Sequence, residues 1–361
     1  MTNEIHVVIG GQFGSEAKGH VTQWLVSQMT RPGSQVLNIR TGGPNAGHTA
    51  YRPQSDVPFK FRQLPVGILH PRCDVAIAGG SEIDLDVLNR EIEDVEAAGY
   101  VVDRRLYIDP EATIVEQRHI LEESEMVGRI GSTAKGIGAA RSARIMRTAL
   151  RFTDVWHRVP RAIPKSTQVL VREFFQYRQE MNSHRIVIEG TQGHGLGLHA
   201  GYYPYCTSGD VDTVDQLAAC RIHPAEFRIQ PWVVLRTYPI RVAGNSGPMH
   251  REIDFTELSA RMGVVVEPER TTVTNRIRRI GEWDPDLARS AVSANGGQLA
   301  NVALTFVDYW YPDLAGSIVR PPDAHPFWVK VRQIEDEVGT RVFAASTGPR
   351  SMFALSPEAP L

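Results

Sequence analysis

The stretch "GGQFGSEAKGH" occupies residues 10–20, directly after the apolar run "IHVVI" at 5–9 and at the start of a segment with the apolar spacing of a helix. A strand, a glycine-rich turn and a helix N-terminus together bind anions, because unpaired N–H groups and the helix dipole point to one place. The stretch departs from the P-loop pattern G-x-x-x-x-G-K-[ST], since Ala17 precedes Lys18 and Gly19 follows it. It therefore predicts a phosphate-binding loop of an α/β protein that differs from the ordinary P-loop.

The composition indicates a folded protein without a membrane segment. The chain has 361 residues, of which 42% are hydrophobic and 22% charged, and a net charge of −2, which argues against direct nucleic-acid binding. No apolar run approaches the ~20 residues of a membrane span, and the first residues lack the order of a secretory signal. The three cysteines are too few and too scattered for a disulfide frame or a zinc site. These features predict a cytoplasmic protein with reduced thiols.

Apolar runs typical of β-strands alternate with helical patterns along the chain. Most of the runs are continuous, as in strands that are buried on both faces of a parallel sheet. This order predicts one α/β domain over residues 1–361, with a large, mostly parallel central sheet, flanking helices and loop insertions. The predicted strands are 5–9, 35–39, 73–78, 185–189, 232–238, 301–307 and 341–346, and the predicted helices are roughly 18–29, 84–99, 138–150, 166–181, 212–220 and 286–295.

Six glycine-rich stretches contain polar residues, and several of them follow predicted strands directly. Because ligands bind at the carboxyl ends of the strands in such sheets, we expect these stretches to meet at one edge. A single stretch is equally typical of a plain turn, but six predict a site that surrounds more than one phosphate-bearing ligand. The stretches are 9–19, 41–49, 132–140, 189–201, 243–248 and 346–349.

The motifs in these stretches resemble those of the adenylosuccinate synthetases. "GGQFGSEAKG" is similar to that family's first loop, G-x-Q-[WF]-G-D-E-G-K-G, at all but two places, and "GGPNAGHT" at 42–49 matches its second loop throughout. The segments "GSTAKGIGAA", "EGTQGHGLGLHAGYYPYCTS", "TNRIRRIGEWD" and "STGP" follow in the family's order, so the resemblance extends from residue 5 to about residue 350. It implies the family's P-loop-related α/β fold and a Mg2+-dependent carbon–nitrogen ligase.

The resemblance also implies a reaction and three catalytic residues. The family replaces the 6-oxygen of a purine nucleotide with the amine of aspartate: a nucleoside triphosphate first phosphorylates this oxygen, and aspartate then displaces the phosphate. Lys18 is expected to hold triphosphate oxygens, as other phosphate-loop lysines do. His48 is expected to be the general acid that stabilises charge as the 6-oxygen takes the phosphoryl group. Ser15 stands where the family has its catalytic aspartate.

The resemblance assigns further residues to four ligands. The residues expected at the purine monophosphate are Ser15, Asn45, Ala46, Thr133, Arg147, Gln192, Thr207 and Val242. The residues expected at the triphosphate are Gly14, Glu16, Ala17, Lys18, Gly19, Gly47, His48, Thr49, Phe306, Asp308, Ser346, Gly348 and Pro349. The residues expected at aspartate are Thr272, Val273, Thr274, Arg276 and Arg278, and Mg2+ is expected at Ser15 and the Gly47 carbonyl.

Three arginines carry more specific expectations. Arg276 and Arg278 are two residues apart, so in an extended segment they lie on the same side, and planar guanidinium groups bind a small dicarboxylate bidentately. Without the flanking motifs, such a cluster is more typical of a solvated basic surface. Arg147 matches an arginine that reaches the substrate phosphate of the neighbouring subunit, which implies a homodimer with shared sites.

Ser15 is the departure from the family that bears most on the substrate. The family's aspartate takes the proton from N1 of hypoxanthine and ligates Mg2+, whereas a serine hydroxyl is a poor base unless it is activated. Either the protein only binds nucleotides, or its substrate needs a different residue. N1 lies beside C2, which carries hydrogen in IMP and an amino group in GMP, and the shorter, uncharged serine leaves room for that amino group. If Ser15 is not the base, the candidates are Glu16, water and a phosphate oxygen.

A serine at this position resembles the first loop of a phage branch of the family. That branch joins aspartate to dGMP and makes N6-succino-2-amino-2'-deoxyadenylate, a precursor of 2,6-diaminopurine in viral DNA. Ala17, Lys135 and the short chain also fit a divergent branch. The expected partners are therefore dGMP, aspartate and ATP or dATP, in the cytoplasm of a host cell. Two alternatives remain: a conventional synthetase that uses IMP and GTP, and a non-catalytic purine-nucleotide-binding protein.

A second departure concerns the phosphoryl donor. Conventional members read GTP with a T-K-x-D segment, but here the segment is "LTFVDYW" at 304–310, in which Phe306 replaces the lysine and Asp308 remains. An aromatic side chain stacks on any base, so Phe306 favours ATP or dATP over a strict guanine preference. The alternative is that Phe306 is a core residue at the end of a buried strand.

Overall fold

The computed structural model describes residues 4–52, 55, 57–124, 134–156, 184–270 and 276–356. The strands in these ranges are β1 (Glu4–Gly10), β2 (Gln35–Arg40), β3 (His48–Tyr51), β4 (Pro58–Phe61), β5 (Cys73–Ile77), β6 (Glu82–Ile83), β7 (Leu106–Ile108), β8 (Thr113–Ile114), β9 (His184–Glu189), β10 (Arg228–Arg236), β11 (Ile240–Arg241), β12 (Glu252–Ile253), β13 (Arg279–Gly281), β14 (Asn301–Thr305), β15 (Val342–Gly348) and β16 (Ser351–Ala354). The α-helices are α1 (Lys18–Met29), α2 (Leu85–Ala97), α3 (Gln117–Ser124), α4 (Ile137–Ile145), α5 (Phe152–Val155), α6 (Thr213–Ala219), α7 (Phe255–Met262), α8 (Pro285–Ala294) and α9 (Phe327–Val338).

A nine-stranded sheet with the order β16-β15-β14-β10-β1-β9-β2-β5-β7 forms the centre of the protein. All neighbouring strands in it are parallel except β15 and β16, which are joined by a tight turn and run antiparallel. A smaller antiparallel sheet, β11-β13-β12, packs with α7 around the buried residues Ile240, Leu258 and Ile280. The mostly parallel α/β fold predicted from the sequence is confirmed.

Residues along the central strands alternate between two buried layers. In β1, Val8 belongs to one hydrophobic cluster, whereas Val7 and Ile9 belong to the other. Helices α1 and α2 contribute to the first cluster, and α8 and α9 contribute to the second. Because both faces of the sheet are covered, the strands read as continuous apolar runs in the sequence.

The predicted strands all lie in the central sheet, and two of the differences from prediction come from left-handed backbone. The run predicted as a strand over 301–307 ends at Thr305, because Phe306 has φ +58°. The helix predicted over 138–150 ends at Ile145, and Arg147 beyond it has φ +65°. In the central sheet, β7 and β16 were not predicted. The short strands outside that sheet and helices α3, α5, α7 and α9 were not predicted either, and the helix predicted over 166–181 lies outside the described residues.

Within the part of the chain that the structure describes, no helix is long and apolar enough to cross a membrane.

The carboxyl edge of the central sheet brings the glycine-rich stretches together. A Cβ atom at Gly10, after β1, would lie 2.5 Å from the Glu16 carboxylate and 2.6 Å from the carbonyl oxygen of Gln192, which follows β9. Thr41, after β2, donates its backbone N–H to the carbonyl oxygen of Glu189 at 3.2 Å. The loops after β1, β2 and β9 therefore contact one another, as the position of ligands in α/β sheets leads us to expect.

His6 in β1 makes stability depend on pH. It is buried, and its Nδ1 accepts a hydrogen bond of 3.0 Å from Nε1 of Trp232. Burial, with the charges of Arg185 and Arg228, lowers the pKa of His6 to about 3. Below the unfolded-state pKa of ~6.5 the unfolded chain binds the proton more readily, so the free energy of unfolding falls as the pH drops, by ~2 kcal/mol between pH 7 and pH 5 for one such histidine.

We therefore expect the variant His6→Gln to lose less stability than the wild type when the pH is lowered from 7 to 5. Glutamine keeps an acceptor for Trp232 but does not titrate. Urea denaturation at both pH values measures the difference, which should approach ~2 kcal/mol. An equal loss of stability in the two proteins would show that His6 is not held neutral by the fold.

Candidate active site

The first glycine-rich loop closes around a buried carboxylate. Oε1 of Glu16 accepts hydrogen bonds from the backbone N–H groups of Gln12 (3.1 Å) and Gly14 (2.7 Å), and Oε2 pairs with Nζ of Lys18 at 2.7 Å. Glu16 and Lys18 are both buried, whereas Ser15 between these contacts is exposed and has φ +60°. The loop thus presents residue 15 outward and holds the lysine ammonium group at its centre.

The second loop packs directly on the start of α1. Ala17, at the N-cap position, has φ +65° and no side-chain cap, so the first turn of α1 points backbone N–H groups out of the helix. A Cβ atom at Gly19 would lie 2.7 Å from Cβ of His48, which shows how closely the two loops approach. Lys18 and His48, expected from the sequence to act together, are therefore neighbours.

His48 is held by two charged residues at the ends of adjacent strands. Its Nδ1 contacts the Glu189 carboxylate, which also pairs with Nη1 of Arg40 at 2.5 Å and accepts the backbone N–H of Val66 at 3.0 Å. Nη2 of Arg40 donates to the carbonyl oxygen of Ala46 at 2.8 Å and so fixes the loop just before His48. All three charged or polar side chains are buried.

The surroundings set the protonation states of this group. Burial, together with the Arg40 charge, lowers the pKa of His48 to about 4, although Glu189 acts in the opposite direction. Burial raises the pKa of Glu189, but Arg40 and the hydrogen bond with His48 outweigh it, so the net pKa lies below its usual value. At neutral pH, His48 is a neutral imidazole that donates from Nδ1 to the carboxylate, and its Nε2 carries the lone pair.

A pocket with a cavity volume of about 40 Å³ lies between the loops after β2 and β9. It contains three of the residues expected at the purine monophosphate, namely Asn45, Gln192 and Thr207. Arg141 of α4 and Asp210 also line it. Ser15, Ala46 and Val242 do not line this pocket, and Thr133 lies outside the described residues.

The residues expected at the triphosphate base follow β14. The half-buried Phe306 ring stacks on the guanidinium group of Arg236, and the guanidinium carbon lies 3.7 Å from the centroid of the Phe306 ring. Oδ1 of Asp308 is buried with no hydrogen-bond partner in the described structure, and burial raises the pKa of this carboxyl group. Thr305 connects this region to the first loop, because its hydroxyl donates to the carbonyl oxygen of Glu16 at 2.9 Å.

The remaining residues expected at the triphosphate frame the same edge. Ser346 is a buried residue near the end of β15, where its hydroxyl donates to the carbonyl oxygen of Gly348 at 3.1 Å, and Pro349 just after the strand is exposed. Gly47 and Thr49 are also exposed, on either side of buried His48. Of these residues, Gly47, Thr49 and Pro349 are accessible, whereas Ser346 is buried.

Arg276 and Arg278 lie on an extended segment, as predicted. Ile277 between them forms an isolated β-bridge with Arg270, and the Arg278 backbone N–H donates to the carbonyl oxygen of Glu269 at 2.8 Å. Arg276 is exposed, and burial lowers the pKa of the more enclosed Arg278. Thr272, Val273 and Thr274 lie outside the described residues.

Arg147 stands apart from the pocket. It follows the end of α4 and is exposed, and its predecessors Ile145 and Met146 are 75% and 70% exposed. An arginine beside two exposed apolar side chains fits a contact surface better than a position inside this chain's own pocket.

The protein oxygen atoms at this site can bind Mg2+ only together with phosphate oxygens of a nucleotide. The described residues contain no group of three or more His, Cys, Asp or Glu side chains that could hold a metal ion. Ser15 and the Gly47 carbonyl offer neutral oxygen ligands, and Mg2+ is usually bound through few protein ligands, substrate phosphates and water. These two residues are therefore compatible with a metal–nucleotide complex rather than with an all-protein site.

Sequence reasoning missed Arg40, Glu189, Arg236 and Glu269. Arg40 directly follows the predicted strand 35–39 and precedes the glycine-rich stretch 41–49, and Glu189 ends the predicted strand 185–189 and begins the stretch 189–201. A charged residue at that position has to be paired, because burying an isolated charge is costly. This signal was available in the sequence, whereas the contacts of Arg236 and Glu269 depend on the tertiary fold.

Comparisons with known proteins agree with this arrangement. The model of the family described as adenylosuccinate synthetase matches residues 7–182 and 165–311. The adenylosuccinate synthetase of Methanococcus vannielii is 31% identical over 352 residues, which cover 95% of this chain and 96% of that protein. The synthetase of Pyrococcus horikoshii is 32% identical over 353 residues and 95% of each chain. Chain length therefore does not separate this protein from conventional synthetases, contrary to the sequence-based interpretation.

Solved structures show the same similarity. Succinoaminodeoxyadenylate synthetase (PurZ) of cyanophage S-2L, bound to dGMP and to dATP as an energy donor, is 28% identical with a TM-score of 0.79, over 98% of this chain and 96% of that one. The fully ligated adenylosuccinate synthetase of Plasmodium falciparum has the same fold, with a TM-score of 0.75 and 20% identity over 97% of this chain and 99% of that one. The chain belongs to the adenylosuccinate synthetase family and is a carbon–nitrogen ligase of that type.

Proposed function

We propose that this ligase joins L-aspartate to C6 of dGMP, with ATP or dATP as phosphoryl donor, and forms N6-succino-2-amino-2'-deoxyadenylate for the synthesis of 2,6-diaminopurine DNA. The observation that carries the proposal is Ser15, exposed at the tip of the first loop where the family's aspartate would stand. The similarity to PurZ, solved with dGMP and dATP, supports the same substrates. The archaeal relatives are conventional synthetases and support the alternative, IMP with GTP.

The proposed reaction has two steps. The 6-oxygen of dGMP attacks the γ-phosphorus of the donor, the nucleoside diphosphate leaves and the N1 proton is lost. The aspartate amine then attacks C6, phosphate leaves and the amine loses a proton. The ammonium group of Lys18 stabilises the negative charge of the transferring phosphoryl group. In the described structure this ammonium group pairs with Glu16, so it interacts with both groups during the reaction.

His48 is poised to change its protonation state when anions bind. In the described structure burial and Arg40 keep it neutral, but the negative charge of the donor phosphates favours the imidazolium form. Because Nδ1 is held by Glu189, the additional proton resides on Nε2. A positively charged His48 then donates from Nε2 to the oxygen that accepts the phosphoryl group.

The hydrogen bonds of Glu16 make it a poor candidate for the base that removes the N1 proton. Its two carboxylate oxygens already accept two backbone N–H groups and the Lys18 ammonium. Removing a proton would require Glu16 to give up bonds that hold the loop closed. Of the three candidates, water and a phosphate oxygen therefore remain.

The other ligands are assigned to the residues around this centre. The Ser15 hydroxyl and the Gly47 carbonyl would hold Mg2+, which when bound would neutralise phosphate charge. Phe306 stacks on the donor base, Arg276 and Arg278 bind the aspartate carboxylates, and Arg147 reaches the substrate phosphate of the partner subunit in a homodimer. The exposed apolar residues beside Arg147 support this dimer.

The first prediction concerns the substrate. We expect the wild type to convert dGMP, with aspartate and Mg2+, to a succinylated product and barely to use IMP, since a missing 2-amino group leaves buried partners unpaired. Ser15→Asp should lower kcat/KM for dGMP, because it places a carboxylate in the space proposed for the 2-amino group. The corresponding increase in activation free energy should be at least the ~1–3 kcal/mol typical of overpacking. Product assays by chromatography measure both effects.

Two further variants make this test selective. Ser27→Asp adds the same charge on the exposed side of α1 and should leave the activity unchanged. Ser15→Ala should keep much of the dGMP activity if serine only makes room, and lose it if the hydroxyl holds the metal or relays a proton. The spatial proposal fails if Ser15→Asp turns over dGMP as fast as the wild type. Preferred turnover of IMP would support the conventional synthetase, and binding without turnover of any purine monophosphate would support a non-catalytic protein.

The second prediction concerns the donor. ATP or dATP should support turnover at least as well as GTP, because an aromatic platform such as Phe306 accepts any base. Initial rates with the three nucleotides test this directly. A kcat/KM tenfold higher for GTP, about 1.4 kcal/mol, would mean that Asp308 still selects guanine.

The third prediction concerns the shared site. Arg147→Ala and His48→Ala should each be nearly inactive alone, because each lesion occurs in both sites of a homodimer. After mixing and subunit exchange, heterodimers contain one site with neither lesion, so part of the activity should return. Confirmed exchange without recovery would remove the assignment of Arg147 to the partner's site.

A further inference from the structure

One buried guanidinium group contacts three parts of the candidate site. Arg236 ends β10 and is 1% exposed. Its Nη1 lies 3.4 Å from the carbonyl oxygen of Ser15, and Nη1 and Nη2 both bind the carboxylate of Glu269. Its Nε donates to the carbonyl oxygen of Tyr238 at 2.7 Å. The Gln12 side chain bonds the backbone N–H and carbonyl of Arg236 at 3.0 and 2.9 Å, so the residue is fixed at both ends.

The same group supports the aromatic platform. The Arg236 guanidinium lies 3.7 Å from the centroid of the Phe306 ring, within the distance of a cation–π interaction. Tyr309 packs edge-on against Phe306 with a centroid separation of 5.3 Å, and its hydroxyl donates to Oε1 of Glu269 at 3.3 Å. The orientation of Phe306 therefore depends on where Glu269 holds Arg236 and Tyr309.

Glu269 also determines the position of the aspartate-binding arginine. Its backbone carbonyl oxygen accepts the backbone N–H of Arg278 at 2.8 Å. Burial raises the pKa of Glu269, but the charge and hydrogen bonds of Arg236 outweigh it and keep the group a carboxylate. Because a buried ion pair that loses one partner leaves an uncompensated charge, the two residues hold each other in place.

We infer that Arg236 and Glu269 are positioning residues that set, through the ion pair between buried Arg236 and partly exposed Glu269, both the Phe306 platform for the donor base and the Arg278 group for aspartate. This inference rests on the proposed function for the identity of the two ligands. Neither residue contacts the pocket that contains Asn45, Gln192 and Thr207. Arg236 reaches the residues proposed for the purine monophosphate only through the backbone carbonyl of Ser15, 3.4 Å from Nη1. Loss of the ion pair should therefore weaken the donor and aspartate sites together and affect the site of the purine monophosphate much less.

The test is the variant Glu269→Gln, which keeps the size of the side chain but removes its charge. We expect the KM values for ATP and for aspartate each to rise at least fivefold, with the KM for dGMP changed less than twofold. Glu267→Gln, an exposed position on the same segment, is the matched control and should change none of the three. Unchanged KM values for ATP and aspartate in Glu269→Gln, or an equal rise in all three, would overturn the inference.

A double variant tests the route through the aromatic ring. In a Phe306→Leu background the platform is already lost, so Glu269→Gln should raise the KM for aspartate but add less than twofold to the KM for ATP. If Glu269→Gln raises the KM for ATP by the same factor in the Phe306→Leu background as in the wild type, Arg236 does not act through Phe306.

Calorimetric binding of ATP to the wild type and to Glu269→Gln separates the inference from the proposed function. If the wild type fails to turn over dGMP, the substrate proposal is wrong. A weaker ATP affinity of Glu269→Gln still supports the positioning of Phe306, and an equal affinity overturns it.

Discussion

The buried ion pair between Arg40 and Glu189 is the interaction on which the rest of the site depends. The two residues are direct register partners at the last positions of β2 and β9, so the sheet itself places their charges side by side. Each is fully enclosed, and removing one would leave the other charge uncompensated, at a cost of ~3–5 kcal/mol. From this pair, Arg40 reaches the carbonyl of Ala46 and Glu189 reaches His48, so the pairing of two strands fixes the loop that carries His48.

The same arrangement recurs at the neighbouring strands. Glu16 pairs with Lys18 after β1, and Glu269 pairs with Arg236 at the end of β10. In each case a carboxylate compensates a cation before any anionic ligand arrives, so the loops have a defined structure without substrate.

The sequence was informative where a local pattern determines the structure. Continuous apolar runs predicted the central strands, and the glycine-rich stretches predicted which edge carries the site. It was less informative for short elements such as β7 and for left-handed positions such as Phe306, where the chain turns although its residue type favours a strand. The partners of His48 and Phe306 lie far away in the chain, Glu189 and Arg236 respectively, and such pairs are set by strand register rather than by sequence spacing.

The first loop shows how a substrate could change without a change of fold. The carboxylate that closes this loop belongs to Glu16, whereas residue 15 points outward and contributes only its backbone carbonyl, to Arg236. The left-handed backbone at position 15 suits aspartate at least as well as serine, since Asp and Asn are enriched in that conformation. Exchanging the two residues therefore leaves the loop's supports intact, and any difference in substrate choice between them arises from the space and charge of one side chain.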